Sequence, residues 1–159
     1  MVPDESDMLS TNKEKCLANI DVAMGGHVAE KLFVGSDKIT TGCSSDLRGA
    51  TNIAYAAVRK YGMFGEDAGF ISIDQKDASS EHNAMIDDKV KHILDESFDR
   101  VKSLLLSKEN EIRTLAKNLF WYDYLDHNEI EKILNGEDLP KEKVRLWDYQ
   151  KEGEYIIKF

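Results

Sequence analysis

The run Thr40-Thr41-Gly42-Cys43-Ser44-Ser45-Asp46-Leu47 sets one carboxylate behind small and hydroxylated residues, where an apolar-periodic segment begins. A carboxylate in that place has two uses. It can cap a helix, because aspartate accepts readily from the free amides of a first turn, an effect of about 1 kcal/mol. It can also act as an oxygen ligand to a metal held beside the helix start. Read from Ser-Ser-Asp alone, the cap is the simpler use. Cys43, three residues earlier, adds a soft donor, but a cysteine and a carboxylate without histidine do not make a zinc site. His27, His82, His92 and His127 have no metal-ligand spacing with one another or with a cysteine pair, and each reads as a surface or helix-face residue. No H-E-x-x-H, G-x-S-x-G, P-loop or Gly-rich dinucleotide turn occurs. The residues themselves therefore offer no catalytic group.

The composition narrows the function classes. A chain of 159 residues is long enough for one domain with its own core, and a formal charge of −9 argues against a phosphate-reading surface. Two cysteines without a C-x-x-C pair read as reduced or buried thiols. The acidic start Met1-Val2-Pro3-Asp4-Glu5-Ser6-Asp7 has no apolar core of a secretory signal, and no apolar run approaches the ~18 residues of a membrane span. These features describe a soluble chain that binds no nucleic acid.

The elements that must hold Asp46 are helices. Thr11-Asn12-Lys13-Glu14 has the form of a capping box, and Leu17, Ile20, Met24, Val28 and Leu32 follow on one face. Gly25-Gly26 interrupts that helix at a cost of roughly 1 kcal/mol per glycine, which points to close approach of another backbone. Gly35 is its natural stop. A second helix starts near Ser45 or Asp46, with Leu47, Ala50, Ile53, Ala54, Ala57, Val58 and Tyr61 as its stripe and Gly62 as its end. Residues 63–81 read as irregular, with Phe70-Ile71-Ser72-Ile73 the one strand-like patch. A long helix over Asn83 to Leu106, a fourth after a break near Ser107, and a short one capped by Asp126 and closed by Asn135-Gly136 complete the pattern. The aromatic run Phe120-Trp121-Tyr122-Asp123-Tyr124 reads as core and interface, and Pro140 to Phe159 as a charged tail that docks through Trp147, Tyr149 or Tyr155. The fold class is mostly α, a helical domain with a short irregular or strand-like segment.

Several of these residues stand at spacings that can be compared with a known family. Ile20-Asp21, Met24-Gly25-Gly26, Ala29-Glu30, Gly35, Thr40 to Leu47, Ala50-Thr51, Ala54 and Tyr61-Gly62-Met63 form one pattern, and Leu125-Asp126, Glu129-Ile130 and Gly136 extend it. This pattern closely resembles the proteolytic domain of the FtsH family of membrane-anchored AAA metalloproteases, with the mitochondrial i-AAA branch nearest. In that family zinc is held by two histidines of an H-E-x-x-H helix and by the aspartate of the Ser-Ser/Asn-Asp motif, while the H-E-x-x-H glutamate activates the bound water. The resemblance thus implies that Asp46 is the third zinc ligand.

Two positions depart from the family: His27 stands where arginine or lysine is usual, and Lys31 where a second glutamate is usual. H-E-x-x-H is absent as well, and Val2 to Asp7 resembles the acidic stretch that follows the active-site helix. The resemblance then implies that residues 1–136 are the C-terminal part of a peptidase domain, with 137–159 a charged tail. Such a piece is inactive alone, lacking the general base, two zinc ligands and the ATP-binding AAA domain. Its parent would be an ATP-dependent zinc endopeptidase, a homo- or hetero-hexamer that degrades unfolded or membrane proteins. An i-AAA-like parent would sit at the mitochondrial inner membrane, and otherwise at a bacterial or plastid membrane. The alternative is a non-catalytic helical module that assembles with a protease hexamer. Either way, apolar surface on the long helix and at Phe120 to Tyr124 is expected to support self-association.

Overall fold

The first helix starts where a side chain can satisfy its free amides. Asn12 accepts from the Lys15 amide at 2.8 Å, and α1 runs Lys13–Ala29. The computed structural model describes residues 12–35, 37 and 40–139, so the cap expected at Thr11 lies outside the described residues. Cys16, Ile20, Met24 and Val28 recur every fourth residue and form the buried line of α1. Leu17 and Leu32, expected on that face, are only half-buried. The helix widens into a π turn, Glu30–Val34, and ends at Gly35, whose φ of 111° suits glycine.

A 3-10 turn, Thr41–Cys43, leads into α2, Ser44–Tyr55, which continues through a second π turn, Ala56–Lys60. Ala50, Ala54, Ala57 and Val58 are buried, and α2 packs along α1. Small side chains at the contact let two helices approach closely. Met63 to Glu81 holds a short helix that periodicity did not reveal, α3 (Gly65–Ala68). No strand forms at Phe70-Ile71-Ser72-Ile73, nor anywhere among the described residues. A single extended patch among helices has no neighbour to complete a ladder. Phe70 is instead 82% exposed, with one edge of its ring so close over Gly65 that no side chain fits there.

The long helix α4, Ser80–Ser107, starts three residues before the expected Asn83 and buries Ile86, Val90, Ile93, Ser97 and Val101. Its link to α1 is polar. Asp21 accepts from the Ser97 hydroxyl at 2.5 Å and from Arg100 Nε and Nη2 at 3.0 and 2.8 Å.

The chain divides into two compact units, one up to Leu104 and the other from Leu105. The second contains α5 (Glu109–Tyr122) and α6 (His127–Leu134). Asp123 ends α5 in the left-handed region at φ 62°. The capping box read at Asp126 is formed in both directions, Glu129 amide to Asp126 at 2.9 Å and Asp126 amide to Glu129 at 2.8 Å. Trp147, Tyr149 and Tyr155 lie outside the described residues.

Candidate metal-ligand site at the start of the second helix

Asp46 is the third residue of α2, and it does not cap it. Thr40 makes the side-chain cap, of the 3-10 turn that precedes α2; its hydroxyl accepts from the Gly42 amide at 3.2 Å. The position before α2, Cys43, makes no side-chain cap at all. The short turn moves the hydroxylated start back and leaves Asp46 within the first helical turn. Its carboxylate is exposed and has no hydrogen bond or ion pair to another described residue. The helix dipole favours an anion there by ~0.3–1 kcal/mol, and nothing else in the local structure requires it.

Across from Asp46 lies Gly26. A Cβ built on Gly26 would stand 3.5 Å from Asp46 Oδ2, while one on Gly25 would meet nothing within 4 Å. The glycine pair expected to admit a neighbouring backbone therefore leaves room beside a carboxylate, and only at its second member.

Behind Asp46 the turn is tied to α1. Glu30 Oε2 accepts from the Thr40 amide at 2.8 Å, and Glu30 Oε1 from the Thr40 hydroxyl at 2.9 Å. These two bonds, the amide's foremost, hold the Glu30 carboxyl below its usual range, with smaller help from Cys43 and His27. The buried Cys43 thiol sits 3.5 Å from His27 Nδ1, 3.7 Å from Glu30 Oε2 and 3.5 Å from the Thr40 carbonyl. Burial, and then the Glu30 charge, push this thiol up, so it remains protonated at neutral pH. Sequence reading placed Glu30 and Thr40 in one pattern but gave neither a role. The one local signal was a threonine two residues ahead of a glycine at a helix start.

Among the described residues no three His, Cys, Asp or Glu side chains come together to hold a metal ion. His92 and His127 face Glu96 and Glu131 one turn along their own helices. A complete zinc centre does not fit the described residues alone. One ligand position does fit, because the Asp46 carboxylate is unpartnered among them and lies in the space that Gly26 leaves open. A groove of about 480 Å³, which Asp46 does not line, runs between α1, α2 and α4. Met24, Leu47, Val90, Leu94 and Phe98 give it apolar walls, and His27 stands at both the groove and the Cys43 cluster. No helix among the described residues is long and apolar enough to cross a membrane.

The profile of peptidase family M41 matches residues 1–133. The chain is similar to the mitochondrial inner membrane i-AAA protease supercomplex subunit YME1 of Saccharomyces cerevisiae, 39% identical over 87% of this chain and 19% of that protein. It is also similar to the ATP-dependent zinc metalloprotease FTSH 11, chloroplastic/mitochondrial, of Arabidopsis thaliana, 41% identical over 96% of this chain and 18% of the relative. The Homo sapiens ATP-dependent zinc metalloprotease YME1L1 is 39% identical over 85% of this chain and 18% of its own length. The chain spans less than a quarter of each of these relatives.

Proposed function

The chain belongs to peptidase family M41, and from that premise we propose that it forms part of an ATP-dependent zinc metalloendopeptidase, with Asp46 as one zinc ligand. The remaining zinc ligands, the general base and the ATPase come from outside the described residues. The parent acts on unfolded or membrane proteins as a hexamer, and its setting is the mitochondrial inner membrane that the yeast relative's name gives for that protein. The observation that carries this reading is the exposed carboxylate of Asp46, which meets no described partner and faces Gly26.

Zinc bound there would polarise the scissile carbonyl and lower the pKa of a bound water toward ~7. What this chain supplies is the aim of one anionic oxygen. The first turn of α2 fixes its backbone, and Gly26 leaves its Oδ2 uncrowded.

Asp46→Asn tests the reading. The cap belongs to Thr40, so the chain should lose less than about 1 kcal/mol in urea unfolding. In the assembled protease the same change should release zinc and abolish peptide hydrolysis while ATP turnover continues, because a neutral amide is a poor zinc ligand. Zinc content and hydrolysis unchanged in the Asn variant would remove Asp46 from the metal. The second reading, a non-catalytic assembly module, would then stand on the exposed Leu119, Phe120 and Leu134 of the second unit.

A further inference from the structure

Phe70 to Ile73 is fastened at both ends and open between them. Before it, the Gly69 amide donates to the Gly65 carbonyl at 2.9 Å, Gly69 turns the chain at φ 83°, and the Phe70 ring lies over Gly65. After it, the Asp74 carbonyl accepts from the amides of Asp77 and Ala78 at 3.0 and 3.1 Å. Asn83 Nδ2 adds bonds to the Gln75 and Ala78 carbonyls at 3.1 and 3.4 Å, and Arg59 Nη1 holds Asn83 at 2.9 Å. Between these ties, no main-chain group of Phe70, Ile71, Ser72 or Ile73 is hydrogen-bonded to another described residue. Aromatic and β-branched side chains suit a strand, in which Phe70 and Ser72 would share one face and Ile71 and Ile73 the other. Phe70 and Ile71 are 82% and 51% exposed, so apolar side chains and open main-chain groups meet the solvent together. Such a row is completed by another extended chain. The ties at both ends lower the cost of ordering the segment when that chain arrives.

The surrounding charges select the chain. Glu66 stands before the segment and Asp74 and Asp77 after it, all exposed and none in an ion pair with another described residue. Asp67 is taken by Lys89 at 2.6 Å, and Lys76 is the one basic residue from Phe64 to Glu81. A second copy of this segment would bring the same acids and be repelled, whereas lysine or arginine would be attracted. We propose that Phe70 to Ile73 is a docking edge for an extended polypeptide, which adds to it as a strand. Its occupant carries apolar side chains at alternate positions and lysine or arginine at the ends. The edge does not depend on Asp46 or on zinc.

The probe is the end-blocked peptide Lys-Val-Thr-Val-Thr-Val-Lys, added to the 15N-labelled chain. In 1H–15N spectra the amides of Phe70 to Ile73 should shift, and they should exchange with D2O more slowly than in the free chain. Two further peptides, N-methylated at the odd or at the even positions, keep the side chains and charges. One of them loses the donors that face the edge and should bind about 10–100-fold more weakly, while the other binds like the parent. Glutamate in place of both lysines should weaken binding about tenfold at low salt and less at high salt. Ile71→Lys, at an exposed position, should also weaken it about tenfold, and if that variant fails to fold the N-methylated pair still decides. Equal binding of both N-methylated peptides overturns the proposal, as does no shift at Phe70 to Ile73 with millimolar peptide. Slow exchange at Phe70 to Ile73 that needs no peptide and grows with chain concentration overturns it too, because the occupant is then a second copy.

Discussion

Gly25 and Gly26 are adjacent in sequence and answer to different constraints. A Cβ at Gly25 meets nothing, so Gly25→Ala should recover the helix propensity of alanine and raise stability by about 0.5–1 kcal/mol, read as a higher Tm. At Gly26 the added methyl would lie in ordinary contact with Asp46 Oδ2, at 3.5 Å. Gly26→Ala should therefore also stabilise the chain, yet weaken zinc retention in the assembled protease by filling the space beside the carboxylate. Equal zinc retention in both variants would show that the space at Gly26 serves only helix packing. The thiols make a separate prediction. Burial raises the pKa of both Cys16 and Cys43, and the Glu30 charge adds to the effect at Cys43. Both should react with iodoacetamide at pH 8 more slowly than an unfolded-chain cysteine, and urea should abolish the difference.

At the scale of elements, α1 and α4 are joined by an acid whose ionisation matters. Burial pushes the Asp21 carboxyl up, but hydrogen bonds from Arg100 and Ser97, with the Arg100 charge, more than reverse it. Its folded-state pKa thus lies below the unfolded value. The stabilisation is complete above the unfolded pKa and disappears as pH falls through the folded one. Stability should decline as the pH drops from ~5 toward 2, and Asp21→Asn should flatten that decline. At neutral pH the same variant should cost about 1–3 kcal/mol, because Ser97 is 0% exposed and loses its charged acceptor. Urea midpoints across pH would check both statements. A wild-type and a variant with parallel pH profiles would separate Asp21 from the acid response.

For the whole molecule, the second unit exposes Leu106, Leu119, Phe120, Tyr124 and Leu134, and its one buried apolar side chain among the described residues is Ile133. So little burial against so much exposed apolar surface is the pattern of a face that meets another surface. Sedimentation equilibrium should show self-association that grows with concentration, and Leu119→Glu with Phe120→Glu should reduce it. A strict monomer at millimolar concentration would refute the expectation.

Local pattern determined much of this protein. The stripe Ile20-Met24-Val28, the stops at Gly35 and Gly136, and the reciprocal cap of Asp126 and Glu129 all depend on residues within one helical turn, so spacing alone reveals them. The spacing around Thr40 to Leu47 likewise marked Asp46 before any fold was known. What spacing does not contain is which sequence-distant groups meet. Ser97 finds Asp21 across 76 residues, and Glu30 finds Thr40 across ten, because helix packing brings their faces together. The same packing set Gly26 against a carboxylate rather than a backbone and left Phe70 to Ile73 without a strand to pair with. Helices are decided by hydrogen bonds four residues apart, and the site by contacts that exist only once those helices have docked.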